Sequence, residues 1–231
     1  MKRVISICLI LVMVLAAFVG CSKNTGKEDV SSQAVKGKEK LLSQAVDADA
    51  NDINNDSFDN LVKAKNSYCN KVLKLKGTVI KIAEDHVILG DSYSTTYRVN
   101  VYLPTEEMLN LETGEKIVVV GETNDELVED TENVAQYSFD YHYYQMPTAY
   151  LVQDRFEITG TLGSKNTYQE DPKAYYILIG EGNSGYEQNI FFANDVDTAS
   201  LSKGQKIKFE AKCVIENDTW NYKDAKIIEI L

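Results

Sequence analysis

Residues 73–79 read LKLKGTV, and residues 156–162 read FEITGTL, with Gly160 standing where Gly77 stood. The correspondence continues down the chain. AYYILIG (174–180) answers HVILGD (86–91), and QNIFFAN (188–194) answers YRVNVYL (97–103). DVDTASLSKGQKIKFEA (195–211) answers LPTEEMLNLETGEKIVVVG (103–121), with Gly204 opposite Gly114. An internal repeat of this kind means two copies of one folding unit, each burying its own core. The apolar residues alternate with a period of two, which is the mark of strands with one buried face.

In the first copy KVLKLKGTVIKI (71–82), HVILGD (86–91), YRVNVYL (97–103) and GEKIVVVGE (114–122) read as strands, and residues 134–144 supply a fifth. PTEEMLNL (104–111), with Pro at its first position, reads as a helical turn between the third and fourth. WNYKDAKIIEI (220–230) closes the second copy. Five short strands with a helical element between the third and fourth describe an OB barrel. The expected architecture is mainly β, with two tandem five-stranded OB-like barrels over residues 56–148 and 149–231. MPTAYLVQDR (146–155) leaves little polar spacer, so the barrels should pack on one another. A short helix precedes the first, capped by Asp56 or Ser57, with Phe58, Leu61, Val62, Tyr68 and Cys69 on one side at three-to-four spacing.

Ahead of this lies a different kind of sequence. Lys2 and Arg3 form a positive start, and Val4 to Val19 form an uncharged apolar run. That run is marginal for a membrane span, which needs about 20 apolar residues, and it ends in small residues as a signal peptide does. FVGC at 18–21 resembles the lipobox of bacterial lipoproteins, although Phe18 stands where that pattern prefers Leu. The resemblance implies removal of a signal peptide over residues 1–20 and attachment to an extracytoplasmic membrane surface through acyl chains on Cys21. Residues 21–55 are polar and lack an apolar period, so they read as a flexible tether spanning roughly 30 Å. DADANDINND (47–56) imitates a calcium loop only in part, because Asp52 stands where the turn needs Gly.

The formal net charge is −11, and loss of Lys2 and Arg3 takes it to −13. So acidic a surface argues against nucleic acid and anionic headgroups as partners. Lysines at 71–81 alternate with apolar residues, as on a solvent-facing strand rather than in a cationic groove. No Cys/His metal spacing occurs, and neither His86 nor His142 lies in a recognisable catalytic pattern. The sequence therefore predicts no catalytic residues, no metal and no cofactor. Beyond Cys21 only Cys69 and Cys213 remain in the mature chain, and apolar surroundings favour buried thiols over a disulfide.

YSFDYHYYQ (137–145) is the densest chemical feature. Tyr137, Phe139, Tyr141 and Tyr143 alternate with Ser138, Asp140, His142 and Tyr144, so four rings should share one strand face. The preferred reading is that they close the barrel or pack on the second one. The other is that some stay exposed near the loop between the fourth and fifth strands, where OB folds take ligands. The candidate ligand-binding residues are Tyr93, Tyr97, Tyr102, Tyr137, Tyr141, Tyr143 and Tyr144.

KLKGTVIKI, YRVNVYL and LETGEKIVVVGE, opened by a helix and YCNKVLKLKGTV, resemble the tRNA_anti-like OB-fold family of bacterial lipoproteins. The likeness is clear over 58–123, looser over 156–230 and absent from 22–55. It implies an OB fold and carries over no catalytic residue and no RNA ligand. The function expected is a membrane-anchored, non-catalytic binding or adaptor module for a protein, peptide or glycan of the cell envelope. The alternatives are an envelope hydrolase or processing enzyme, or an oligonucleotide binder.

Overall fold

The alternating run VLKLKGTVIKI becomes the longest strand of the first half, β2 (Val72–Ile82), and its inward residues Leu73, Leu75 and Val79 are fully buried. The computed structural model describes residues 30–91, 95–125, 127–134, 137–180 and 186–231. The expected signal peptide over residues 1–20, Cys21 and Tyr93 lie outside them.

Seven other strands organise around β2. It pairs antiparallel with β5 (Lys116–Glu122), from Val72 opposite Glu122 to Thr78 opposite Lys116. Its first half also takes β1 (Val46–Asp49) in parallel, and its second half takes β3 (Val87–Gly90) antiparallel. Next come β4 (Tyr97–Val101), then β7 (Tyr137–Met146) in parallel with it, then β6 (Leu127–Val134) at the edge. After Pro147 the chain resumes as β8 (Thr148–Gln153), which pairs with β5. Neighbours therefore run β6-β7-β4-β3-β2-β5-β8, with β1 also on β2. A short helix follows β4; it is α3 below, over Thr105–Met108.

Two helices precede β2. They are α1 (Val30–Leu42) and α2 (Ala50–Tyr68). Asp49 caps α2 by accepting from the Asn51 N–H. Non-helical dihedrals at Asn60 kink α2, and the Asn60 side chain accepts from the Lys63 N–H to restart it. Ala50 and Ile53 enter the core of the first sheet, and Asn54 Oδ1 accepts from the N–H groups of Thr96 and Tyr97 at 3.2 and 3.1 Å.

The second half is the closed five-stranded barrel that the repeat predicts. Its order is β10 (Ala174–Ile179), β11 (Tyr186–Phe192), β13 (Thr219–Ile230), β12 (Lys206–Glu216) and β9 (Arg155–Lys165), returning to β10. All pairs are antiparallel except β11 with β13. Leu162, Ile177, Ile190, Ile207 and Phe209 fill it. Gly114 and Gly204, matched in the repeat, share left-handed backbone with φ of 88° and 90°. At Gly114 a side chain would also strike the second barrel, since an added Cβ would lie 2.3 Å from Ile215 O. There the two halves touch backbone to backbone, Ile215 N–H donating to Gly114 O at 2.9 Å and Glu115 bridging Val214.

Several expectations change. Residues 46–55 are not tether: Val46–Asp49 pairs with β2 and Ala50 starts a helix, because β2 offers an unpaired edge there. The helix cap is Asp49, not Asp56 or Ser57. Phe58 and Val62, expected on its buried side, are 76% and 73% exposed, whereas Ala50, Ile53, Ser57 and Ala64 are buried. The first unit extends past 148, since Thr148–Gln153 belongs to the first sheet. In the second half no helix stands between β11 and β12. Cys69 and Cys213 are buried free thiols. Among the described residues no helix is long and apolar enough to cross a membrane.

Candidate functional site

YRVNV folds as β4 with Val99 and Val101 fully buried in the core. Alternation then turns Arg98, Asn100 and Tyr102 to the outer side of the sheet. On β7 the parallel register sets Arg98 beside Tyr143 and Val99 beside Tyr144. Tyr144 is in the core at 1% exposure, so Tyr141 and Tyr143 join Arg98 outside. Ile80 and Ile88 pack against Tyr143, with Tyr141 half-buried at the margin of that cluster. This outer face of β3, β4 and β7 is the candidate site.

Its geometry is tight. The Arg98 guanidinium carbon lies 3.9 Å from the centre of the Tyr141 ring, a cation–π contact, and Arg98 Nε donates to Thr95 O at 2.7 Å. Tyr141 and Tyr143 are 6.5 Å apart and tilted by 51°. Further along β4, the Tyr102 ring lies 5.0 Å from His86, whose Nδ1 is 2.7 Å from Asp85 Oδ1. Between them Asn100 Oδ1 is shielded from solvent and accepts no hydrogen bond. Buried polar atoms normally find partners, and among the described residues of this face Asn100 Oδ1 is left without one.

The structure thus divides the sequence-predicted tyrosines. Tyr102, Tyr141 and Tyr143 share the outer face, though Tyr143 is only 4% exposed and serves as packing. Tyr144, expected on the polar side of its strand, is core. Its hydroxyl shares a 2.8 Å hydrogen bond with Ser57, and its ring meets Tyr68 edge-on. Burial pushes the Tyr144 hydroxyl pKa above its ordinary value. Tyr97 packs against the core and stacks 4.9 Å from His142, which lies 3.6 Å from Glu129. Tyr137 lies on β7, with its side chain outside those described. The reading of aromatic residues alone missed Arg98 and Asn100. The alternation of YRVNVYL carries them, because a buried Val99 fixes both as outward.

Among the described residues no group of three or more His, Cys, Asp or Glu is placed to hold a metal ion. No protein-family model matches the chain, and no curated protein does. Among solved structures it is similar to the crystal structure of the p204 HINb domain, at 12% identity and a TM-score of 0.24. That alignment covers 68% of this chain and 96% of the other. A likeness of this strength carries no argument about ligand.

Proposed function

We propose that this protein is a non-catalytic binding module anchored through Cys21 to the outer side of a bacterial membrane. Its two halves are tandem OB-like barrels, and it takes a protein, peptide or glycan of the cell envelope. Support for the tandem arrangement comes from the matched pairing order: β4 with β7 repeats as β11 with β13, both parallel. β7 and β8, joined through Pro147, together reach from β4 to β5.

The observation that carries the binding reading is the outer face of β3, β4 and β7. Half-buried Tyr102 and Tyr141 offer ring surface, Asn100 offers an unpaired carbonyl, and the Arg98 cation is spent on the Tyr141 ring and Thr95 O. Such a face suits stacking and neutral hydrogen bonding better than phosphate capture. The mature charge of −13 points the same way.

The test is cross-linking of the anchored protein in its own envelope, comparing wild type with Tyr102→Ala/Tyr141→Ala. The reading expects a specific adduct that disappears in the double variant while the protein still melts in one cooperative transition. Adducts independent of both rings would remove this face as the site. Release of the protein by salt wash, with an unmodified N-terminus, would overturn the lipid anchor.

A further inference from the structure

We propose that a groove on the second barrel, beside the turn at Tyr168–Asp171, binds an uncharged saccharide. This deepens the binding reading above by adding a second surface and a ligand class, and it stands on different residues. The groove has a volume of about 400 Å³, within the range of small-molecule sites. Gln169, Asp171, Phe191, Asn194, Glu216 and Lys223 line it.

Two polar devices fix its walls, and neither belongs to the barrel core. The first is an amide ladder. Asn166 Nδ2 donates to Asn189 Oδ1 at 2.8 Å, Asn189 Nδ2 to Asn221 Oδ1 at 2.8 Å, and Asn221 Nδ2 to Glu216 Oε2 at 3.0 Å. At its other end Asn166 Oδ1 accepts from the Tyr168 N–H at 3.0 Å, so the ladder ties the turn carrying Gln169 to the strand carrying Glu216. The second is Lys173, whose Nζ donates to the carbonyls of Ala193, Asn194 and Val196 at 3.2, 2.7 and 2.7 Å. It gathers the loop after β11 that presents Asn194. A buried amide chain is stable only when every member is paired, and apolar side chains would cover a barrel wall more simply. These devices instead hold a polar groove in one shape before a ligand arrives, which lowers the ordering cost of binding.

The lining selects the ligand chemistry. Lys223, the cation among its described lining residues, is committed to Glu216 at 2.6 Å and Glu112 at 2.8 Å, and the lining carboxylate Asp224 is held by Arg155 at 2.7 Å. A phosphate or carboxylate would find no cation to receive it. Asp171, one of whose oxygens accepts from the Lys173 N–H, keeps the other for a donor. Gln169 and Asn194 add amides that both donate and accept. Phe191 adds ring surface to the same lining. Hydroxyl donors for carboxylate and amide oxygens, with a flat C–H face for a ring, are what a pyranose brings.

The experiment titrates the full chain with chitotetraose, maltotetraose and tetralysine, following backbone amide resonances. A neutral tetrasaccharide should shift Gln169, Asp171 and Asn194. Gln169→Ala/Asp171→Ala should weaken it about tenfold at unchanged melting temperature, the scale of lost polar contacts. Shifts at Gln169, Asp171 and Asn194 report this groove alone, and envelope cross-linking reports the first-sheet face, so failure of the one and failure of the other are separable. Absence of shifts at about 10 mM of either saccharide, beyond the range of weak specific binding, overturns the proposal. Binding of tetralysine at the same amides in place of sugar overturns it equally.

Discussion

Tyr143 and Tyr144 are adjacent in the chain and serve opposite sides of one sheet. Tyr144 fills the core and shares a hydrogen bond with Ser57, whose side chain is equally buried. Tyr144→Phe should therefore cost about 1–2 kcal/mol, the penalty for leaving the Ser57 hydroxyl unpaired. Adding Ser57→Ala should return most of it, a coupling that urea denaturation of both single variants and the double one would measure. The period of the aromatic strand was readable from its sequence, but its phase was not. Counting rings put Tyr141 and Tyr143 inside. The parallel pairing that sets Tyr144 beside buried Val99 puts them outside, and that pairing joins segments far apart in sequence. On β4 the phase was legible, because Val99 and Val101 leave Arg98 and Asn100 only the outer side.

Among the elements, α2 makes the sharpest test, because its apolar residues are distributed over two faces. Ile53 is 1% exposed, whereas Phe58 stands out from the helix. Ile53→Ala should cost about 2–5 kcal/mol as a cavity in a packed core. Phe58→Ser should move stability by no more than about 0.5 kcal/mol. Thermal melts of the two variants would rank them, and the reverse ranking would mean that the helix is turned about its axis. Periodicity failed here because the face that packs carries Ala50, Ser57 and Ala64 beside Ile53, small residues with little apolar signal, while the large Phe58 and Val62 point outward. The strands with a buried side were legible: 71–82 matches Val72–Ile82 and 220–230 matches Thr219–Ile230. β6 was not, since LVEDTENV is an acidic sheet edge with little apolar alternation to detect. β1 was missed because the four residues VDAD carry too little apolar signal.

At the scale of the whole molecule, the junction of the two halves concentrates buried charge. Glu115 is fully buried, 2.9 Å from Lys212 Nζ, and accepts from the Glu112 N–H at 2.9 Å. Lys212 also faces Asp154 at 3.7 Å and donates to Asn110 O at 2.8 Å, and Lys223 joins Glu112 across the same junction. Burial raises the Glu115 pKa, the Lys212 cation and the Glu112 N–H draw it back, and Asp154 adds to the rise. A carboxyl raised in the folded state stabilises most below the ordinary glutamate range, and that contribution is lost as pH rises through its own raised value. Glu115→Gln should flatten this part of the stability–pH curve. Lys212→Met should cost about 3 kcal/mol at neutral pH, by stranding a buried carboxylate, and less in acid. Chemical denaturation across pH would show both. The short stretch MPTAYLVQDR had suggested that the two copies lie against each other. Their boundary was not legible, because TAYLVQ alternates as well for the end of one sheet as for the start of the next.

The position of β13 between β11 and β12 also dictates a schedule. Every strand of the first sheet precedes residue 154, so a chain emerging from its N-terminus holds that sheet's full complement before β9 begins. The second barrel can start early through β9, β10 and β12, but closure waits for Thr219–Ile230 to arrive last. Until then β11 and β12 present open edges, the condition in which strands pair with the wrong neighbour. The backbone contact of Gly114 and Glu115 with Val214 and Ile215 needs only β12, so the finished first half can grip the unfinished second. Both partners of the junction, Gly114–Glu115 and Val214–Ile215, precede Thr219–Ile230 in the chain, so this contact asks nothing of the strand that closes the barrel.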